Sequence, residues 1–155
     1  MKTEKREISV VGLGYIGLPT AVVLAQAGHL VKGYDVNPKV RKSLAEGKIH
    51  IVENHLQEAF AKVQASGNLV ITEELEPSQI YILCVPTPFL EGAVKRADLS
   101  YVRSAAELVA SVLKEGDLVI LESTVPPHKT QMMSEVLAEK SGLAPGSFYT
   151  AHCPE

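Results

Sequence analysis

The chain has 155 residues, 46% of them hydrophobic and 21% charged, with a formal net charge of −3 at pH 7. That length fits one domain with a buried core, and that composition leaves no case for disorder. The weakly acidic balance provides no basic footprint for nucleic acid and no basic run to hold an anionic membrane, so neither is expected as a partner.

In chain order, "ISVVG" (Ile8 to Gly12) is a β-branched run ending in glycine, which suits a strand buried on both faces. Ile16, Thr20, Val23, Leu24 and Ala27 then follow helical spacing, and Gly28 stands where a helix C-terminal glycine belongs. From Ile8 to Gly28 no charged residue occurs, which resembles a targeting segment. Glu4 and Glu7 dilute the basic end, however, and three internal glycines and Pro19 interrupt the apolar run, so a strand and a helix are expected instead. "LVKGYD" reads as a second strand ending at Asp35. Asn37-Pro38 starts a helix, with Asn as cap and Pro at a position that needs no amide, and Gly47 closes it after Val40 and Leu44.

Leu56, Ala59, Phe60 and Val63 mark a further amphipathic helix, followed by strands at "LVIT" (Leu69 to Thr72) and "YILCV" (Tyr81 to Val85). "FLEGAVKRA", Phe89 to Ala97, reads as an exposed loop. Asp98 or Ser100 can cap the next helix, with its stripe at Val102, Ala105, Ala106, Val109, Val112 and Leu113. "LVILE" (Leu118 to Glu122) is another apolar strand. Met133, Val136 and Leu137 mark the last helix, and "FYTAH" (Phe148 to His152) the last strand. Strands alternate with helices throughout and are apolar runs, which predicts an α/β Rossmann-type doubly wound parallel sheet in a single domain.

Gly12-Leu13-Gly14-Tyr15-Ile16-Gly17 has GxGxxG spacing between a strand and a helix, as a phosphate-binding turn requires. Gly12 would permit the tight turn, Gly14 would let backbone approach a pyrophosphate, and Gly17 would let helix and strand pack closely. The helix N-terminus adds amides and a positive dipole end. Asp35, ending the second strand, can accept hydrogen bonds from both adenosine ribose hydroxyls and would repel a 2′-phosphate, which favours NAD over NADP. A structural glycine turn beside a surface Asp is the bland alternative. Three other stretches follow strands: Val85-Pro86-Thr87-Pro88, Glu122-Ser123-Thr124 and Cys153-Pro154-Glu155. In a parallel sheet all of them gather on the carboxyl edge beside the glycine turn. Taken singly, the prolines can simply stop a strand, and Ser123-Thr124 can cap the following helix.

Five stretches, "VGLGYIGLPTA", "YDVN", "VPTPF", "LESTVPP" and "CPE", together resemble the NAD-binding domain of the UDP-glucose/GDP-mannose dehydrogenase family across nearly the whole chain. "GKIHIVENHL" (Gly47 to Leu56) looks most like the branch acting on UDP-N-acetyl-D-mannosamine. The resemblance implies two successive oxidations of a sugar C6 alcohol to the uronate, using two NAD and passing through a thioester on a cysteine. It implies that Tyr15 and Ile16 contact NAD through the turn, that Val85, Pro86, Thr87 and Ser123 line the cofactor, and that Thr124 lies beside nicotinamide and substrate and helps place the catalytic water. Glu155 corresponds to a glutamate that assists thioester hydrolysis as a base. The implied partner is a UDP-sugar, bound by a full-length enzyme that is homo-oligomeric.

The chain departs from that pattern where it matters for catalysis. The family's catalytic cysteine lies downstream of "CPE", and neither Cys84, expected to be a buried inert thiol, nor Cys153 takes its place. The complete reaction is therefore expected to lie beyond this chain, and its oligomeric state does not carry over. Two cysteines without a CxxC pair suggest neither a disulfide framework nor a zinc cluster, and a reducing cytoplasm is expected. His50, His55 and His152 lack the spacing of a metal site and read as packed or solvated. Two rivals share the first turn: a stand-alone NAD-sensing module, and a methyltransferase using S-adenosylmethionine, against which "VPTPF" and "LESTVPP" argue. Hydroxy-acid dehydrogenases share "VGLG" but not "CPE".

Overall fold

A computed structural model describes residues 4–91 and 96–154. Thirteen elements follow in order: β1 (Glu7–Val11), α1 (Gly17–Gln26), β2 (Leu30–Tyr34), α2 (Pro38–Ala45), α3 (Leu56–Ala65), β3 (Leu69–Ile71), β4 (Ile80–Leu83), β5 (Phe89–Leu90), β6 (Arg96–Ala97), α4 (Ser100–Ala110), β7 (Leu118–Leu121), α5 (Lys129–Ser141) and β8 (Tyr149–His152). Six strands form one parallel sheet in the order β3-β2-β1-β4-β7-β8. That is the doubly wound order expected of alternating apolar strands and helices, with its reversal between β1 and β4.

The sheet is covered on both faces, which is why its strands are apolar along their length. Ile8 and Val10 of β1 and Ile82 of β4 join one core with Leu18, Ala21, Val22 and Ala25 of α1 and Phe60 of α3. Val11 and Tyr81 face the other way, into a second core with Val102 and Val109 of α4 and Met133 and Leu137 of α5. The helix stops follow the glycines: Gly28, Gly47 and Gly142 all take a positive φ just past α1, α2 and α5, a conformation without steric cost only for glycine. At the start of α2 the Asn37 side chain accepts a hydrogen bond from the Lys39 amide at 3.0 Å, as the Asn-Pro pair predicts. Ahead of α4, whose cap position is Leu99, the Asp98 carboxylate accepts from the Ser100 amide at 2.9 Å.

Two expectations are corrected. The buried face of α1 is Gly17, Leu18, Ala21, Val22 and Ala25, whereas Ile16 and Val23 are exposed. Helix α1 is apolar nearly all round, so its spacing offers two stripes, and Gly17 decides between them by letting the helix press its own side onto β1. The stretch from Phe89 to Ala97 is also not all loop: β5 and β6 pair antiparallel, Phe89 with Ala97 and Leu90 with Arg96. Among the described residues no helix is long and apolar enough to cross a membrane, and the stretch from Ile8 to Gly28 is divided between β1, a turn and α1.

Candidate cofactor site

Strand register brings the chemistry together. Val11 lies opposite both Tyr34 and Leu83, Leu83 opposite Leu121, and Leu121 opposite His152. The residues that follow these, Gly12, Asp35, Cys84, Glu122 and Cys153, therefore leave the sheet in one row on its carboxyl edge. This is the convergence expected from the order of the motifs. Because the sheet reverses its winding between β1 and β4, the connections after those strands part to opposite faces and leave a crevice there.

Each glycine of the turn meets a different constraint. A Cβ on Gly12, whose φ is +92°, would lie 2.5 Å from the Cys84 carbonyl oxygen, and one on Gly17 would lie 1.8 Å from the Gly12 carbonyl oxygen. Both positions are closed by backbone. A Cβ on Gly14 would meet nothing within 4 Å. The fold itself leaves Gly14 free to be larger, so what glycine preserves there is space on the cleft side. That open cradle at the N-terminal end of α1 fits the pyrophosphate of a dinucleotide.

Two hollows meet over Gly14. One, of about 470 Å³, is lined by Asp35, Val36, Pro86, Tyr101, Ser104 and Leu108 among others, and has the apolar slot and terminal acid that an adenosine needs. The other, of about 440 Å³, runs over Tyr15, Ile16, Val85, Thr87, Ser123 and Thr124. The Asp35 carboxylate is held in place by two backbone amides. Its Oδ2 accepts from the Leu13 amide and its Oδ1 from the Asn37 amide, both at 2.8 Å. Each carboxylate oxygen keeps a further lone pair for a ribose hydroxyl. Arg41, the guanidinium beside it, is already committed. It donates to the carbonyl oxygens of Asp35 at 2.7 Å and Val36 at 3.3 Å, pairs with Glu73 at 3.3 Å and lies over the Tyr34 ring. A 2′-phosphate would meet the Asp35 charge without a free guanidinium to offset it.

On the opposite side, side chains continue the sheet's ladder beyond the strand ends. The Ser123 hydroxyl donates to the Val85 carbonyl oxygen at 2.6 Å, and the Thr87 hydroxyl to that of Thr124 at 2.9 Å. His152 Nε2 lies 3.2 Å from the Ser123 carbonyl oxygen. Ser123 and Thr124 thus fix the cleft wall and do not cap α5, whose cap position is His128. Strand β4 stops at Leu83, and the Cys84 amide still donates to the Val11 carbonyl oxygen at 2.8 Å ahead of Pro86. The Cys84 thiol donates to Glu122 Oε2 at 2.7 Å, and burial, then that carboxylate, push its pKa well above the usual thiol range, which disfavours the thiolate. Cys153 is exposed, and Glu155 lies outside the described residues.

One group of lining residues, and the bonding of a residue already placed at the edge, escape a reading of the sequence. Tyr101, Ser104 and Leu108 of α4 line the hollow that holds Asp35, just beside the helix's buried stripe, and an i, i+3, i+7 spacing bordering that stripe is the signal that could have found them. Glu122 is the second. Its carboxylate accepts from the Thr20 hydroxyl, 102 residues away in sequence, at 3.1 Å, as well as from Cys84.

The profile of the UDP-glucose/GDP-mannose dehydrogenase family, NAD binding domain, matches residues 6–155. An NDP-N-acetyl-D-galactosaminuronic acid dehydrogenase of Ralstonia nicotianae is 45% identical over 97% of this chain and 37% of its own length. A UDP-N-acetyl-D-mannosamine dehydrogenase of Pyrococcus horikoshii is 44% identical over 96% of this chain and 36% of its own. The solved structure of the UDP-D-ManNAc dehydrogenase from Pyrococcus horikoshii superposes with a TM-score of 0.90 at 43% identity, covering 96% of this chain and 36% of that one. The chain therefore spans little more than a third of the relatives it matches.

Proposed function

Because the chain belongs to the UDP-glucose/GDP-mannose dehydrogenase family, of which it is the NAD-binding domain, we propose that it serves a nucleotide-sugar 6-dehydrogenase oxidising the C6 alcohol of a UDP-sugar to the uronate with two NAD. The sugar we propose is UDP-N-acetyl-D-mannosamine, supported by "GKIHIVENHL" and the Pyrococcus relative. The Ralstonia relative, at 45% identity, supports an N-acetylgalactosamine sugar as the second reading. A reducing cytoplasm suits the two unpaired cysteines.

The observation that carries the proposal is the continuous cleft from Asp35 over Gly14 to Thr124 at the point where the sheet reverses. Bound NAD supplies the hydride acceptor for each oxidation. The chain's own residues bind and orient. Asp35 takes the adenosine ribose, the turn from Gly12 to Gly17 with Tyr15 and Ile16 takes the diphosphate, and Val85, Pro86, Thr87 and Ser123 wall the nicotinamide half. Thr124, exposed at the mouth of that half, is proposed to position the water used in catalysis, and Glu155 to act as the base. The nucleophilic thiolate that a thioester needs is supplied by neither cysteine of this chain. Cys84 is kept protonated by its surroundings, and Cys153 follows β8 without a base beside it in any hydrogen bond of the described residues.

Calorimetry of the purified chain against NAD and NADP tests the cofactor assignment. NAD is expected to bind and NADP to bind at least tenfold more weakly, about 1.4 kcal/mol. Equal affinity, or a preference for NADP, refutes it. The sugar is tested in the enzyme that carries this domain, by comparing NAD reduction with UDP-N-acetyl-D-mannosamine, UDP-N-acetyl-D-galactosamine and UDP-glucose.

A further inference from the structure

Glu122 plays no part in the proposed mechanism, yet it is half-buried in the wall of the nicotinamide half of the cleft, beside Gly14, Val85, Thr87 and Thr124. Its two oxygens are held from two directions. The Thr20 hydroxyl of α1 donates to Oε1 at 3.1 Å and the Cys84 thiol to Oε2 at 2.7 Å. Both donors are uncharged, and no ion pair among the described residues includes Glu122. The carboxylate is thus oriented without being neutralised. An acid that served only to complete the packing would ordinarily be exposed or meet a cation; here a half-buried carboxylate without a cation partner among the described residues lines the cleft.

We infer that Glu122 determines the cleft's preference between the two redox states of the cofactor, favouring the oxidised over the reduced form. The inference rests on the assignment of this half of the cleft to nicotinamide. Oxidised and reduced cofactor differ in charge only at that ring, which is cationic in NAD+ and neutral in NADH. A fixed negative charge beside it acts on that difference, while its repulsion of the shared diphosphate cancels when the two affinities are compared. A site that must take up NAD+ and discard NADH twice in each sugar oxidation gains from such a bias at both steps.

The magnitude follows from Coulomb's law: for a unit charge about 6 Å away, effective dielectrics between about 20 and 80 change an affinity ratio by roughly a hundredfold to threefold, with about tenfold in the middle. The test uses the purified chain and its Glu122→Gln variant. Each is titrated with NADH by fluorescence and then with NAD+ in competition. Gln keeps the shape, and its carbonyl oxygen can still accept from Cys84. The ratio of the NADH to the NAD+ dissociation constant is expected to fall about tenfold in the variant, mainly through weaker NAD+ binding. An unchanged ratio, with both forms still bound, overturns the inference and leaves the cofactor assignment standing. If the wild-type chain binds neither form, the assignment itself falls and this inference falls with it. Should Glu122→Gln not fold, Glu122→Ala carries the same expectation, since the ratio reads the charge and not the overall affinity.

Discussion

Exchanging Gly14 and Gly17 for alanine, one at a time, separates what the fold requires of the glycine turn from what the cofactor requires. At Gly17 the new Cβ would lie 1.8 Å from the Gly12 carbonyl oxygen and 2.9 Å from the Cys84 Cβ. Ordinary contact needs well over 3 Å, and the nearest obstacle is backbone, so α1 must lift away from β1. Overpacking on that scale costs about 3 kcal/mol, which for a domain of this size lowers the melting temperature by roughly 6–12 °C. At Gly14 nothing lies within 4 Å, and its φ is not left-handed, so alanine leaves stability unchanged or raises it by up to about 1 kcal/mol. The same methyl group stands where the pyrophosphate is proposed to approach, and NAD affinity is expected to fall at least tenfold, about 1.4 kcal/mol. Thermal melts without ligand and calorimetry with NAD read the two effects independently. A Gly14→Ala protein that binds NAD like wild type, or a Gly17→Ala protein that melts like wild type, would refute the division of labour.

Asp35→Ala removes the acceptor of two backbone amides as well as the carboxylate proposed to take the ribose. Its partial exposure reduces the value of those bonds to about 2 kcal/mol in total. Both the melting temperature without ligand and the NAD affinity are expected to drop, and a change in affinity alone would show that the two amide bonds contribute nothing. For the thiols, alkylation of the native protein followed by mass spectrometry is expected to modify exposed Cys153 quickly and Cys84 only after unfolding. The folded-state pKa of Cys84 is raised above the ordinary value of 9.0, so its contribution to stability is complete below that pH and is lost as pH rises beyond it. At about pH 10.5, wild type is expected to have lost about 2 kcal/mol more, relative to neutral pH, than Cys84→Ala. Parallel losses in denaturant titrations would contradict the assignment.

The sheet and its edge are legible in the sequence because both rest on local signals. Apolar runs such as "LVIL" declare strands buried on two faces, and each one ends where its turn or acid begins. What stays hidden depends on contacts across the fold. Helix α1 carries Val23, in line with Ile16 at its cap, on one side and Leu18, Ala21 and Val22 on the other, and spacing weighs the two alike. Only the approach at Gly17 settles which side is buried. The β5–β6 pair consists of strands of two residues each, too short for any period to emerge. Glu122 reads in sequence as the end of a strand, and its connection to Thr20 and Cys84 emerges only when three separate elements meet. Ser123 and Thr124 suit either a helix cap or a cleft wall by residue type alone, and the bonds of Ser123 to Val85 and of Thr87 to Thr124 decide for the cleft.

Those side-chain bonds between the ends of β4, β7 and β8 have an entropic consequence. Segments that follow a strand are ordinarily free to sample many conformations, and a ligand that orders them gives up about 1–2 kcal/mol for each residue it fixes. Here Ser123, Thr87 and His152 have tied the rim together before any ligand arrives. The loss of freedom belongs to folding, and binding begins from a mouth already set in shape. Affinity at this rim is then governed by what the ligand touches, with little drawn off to organise the protein around it.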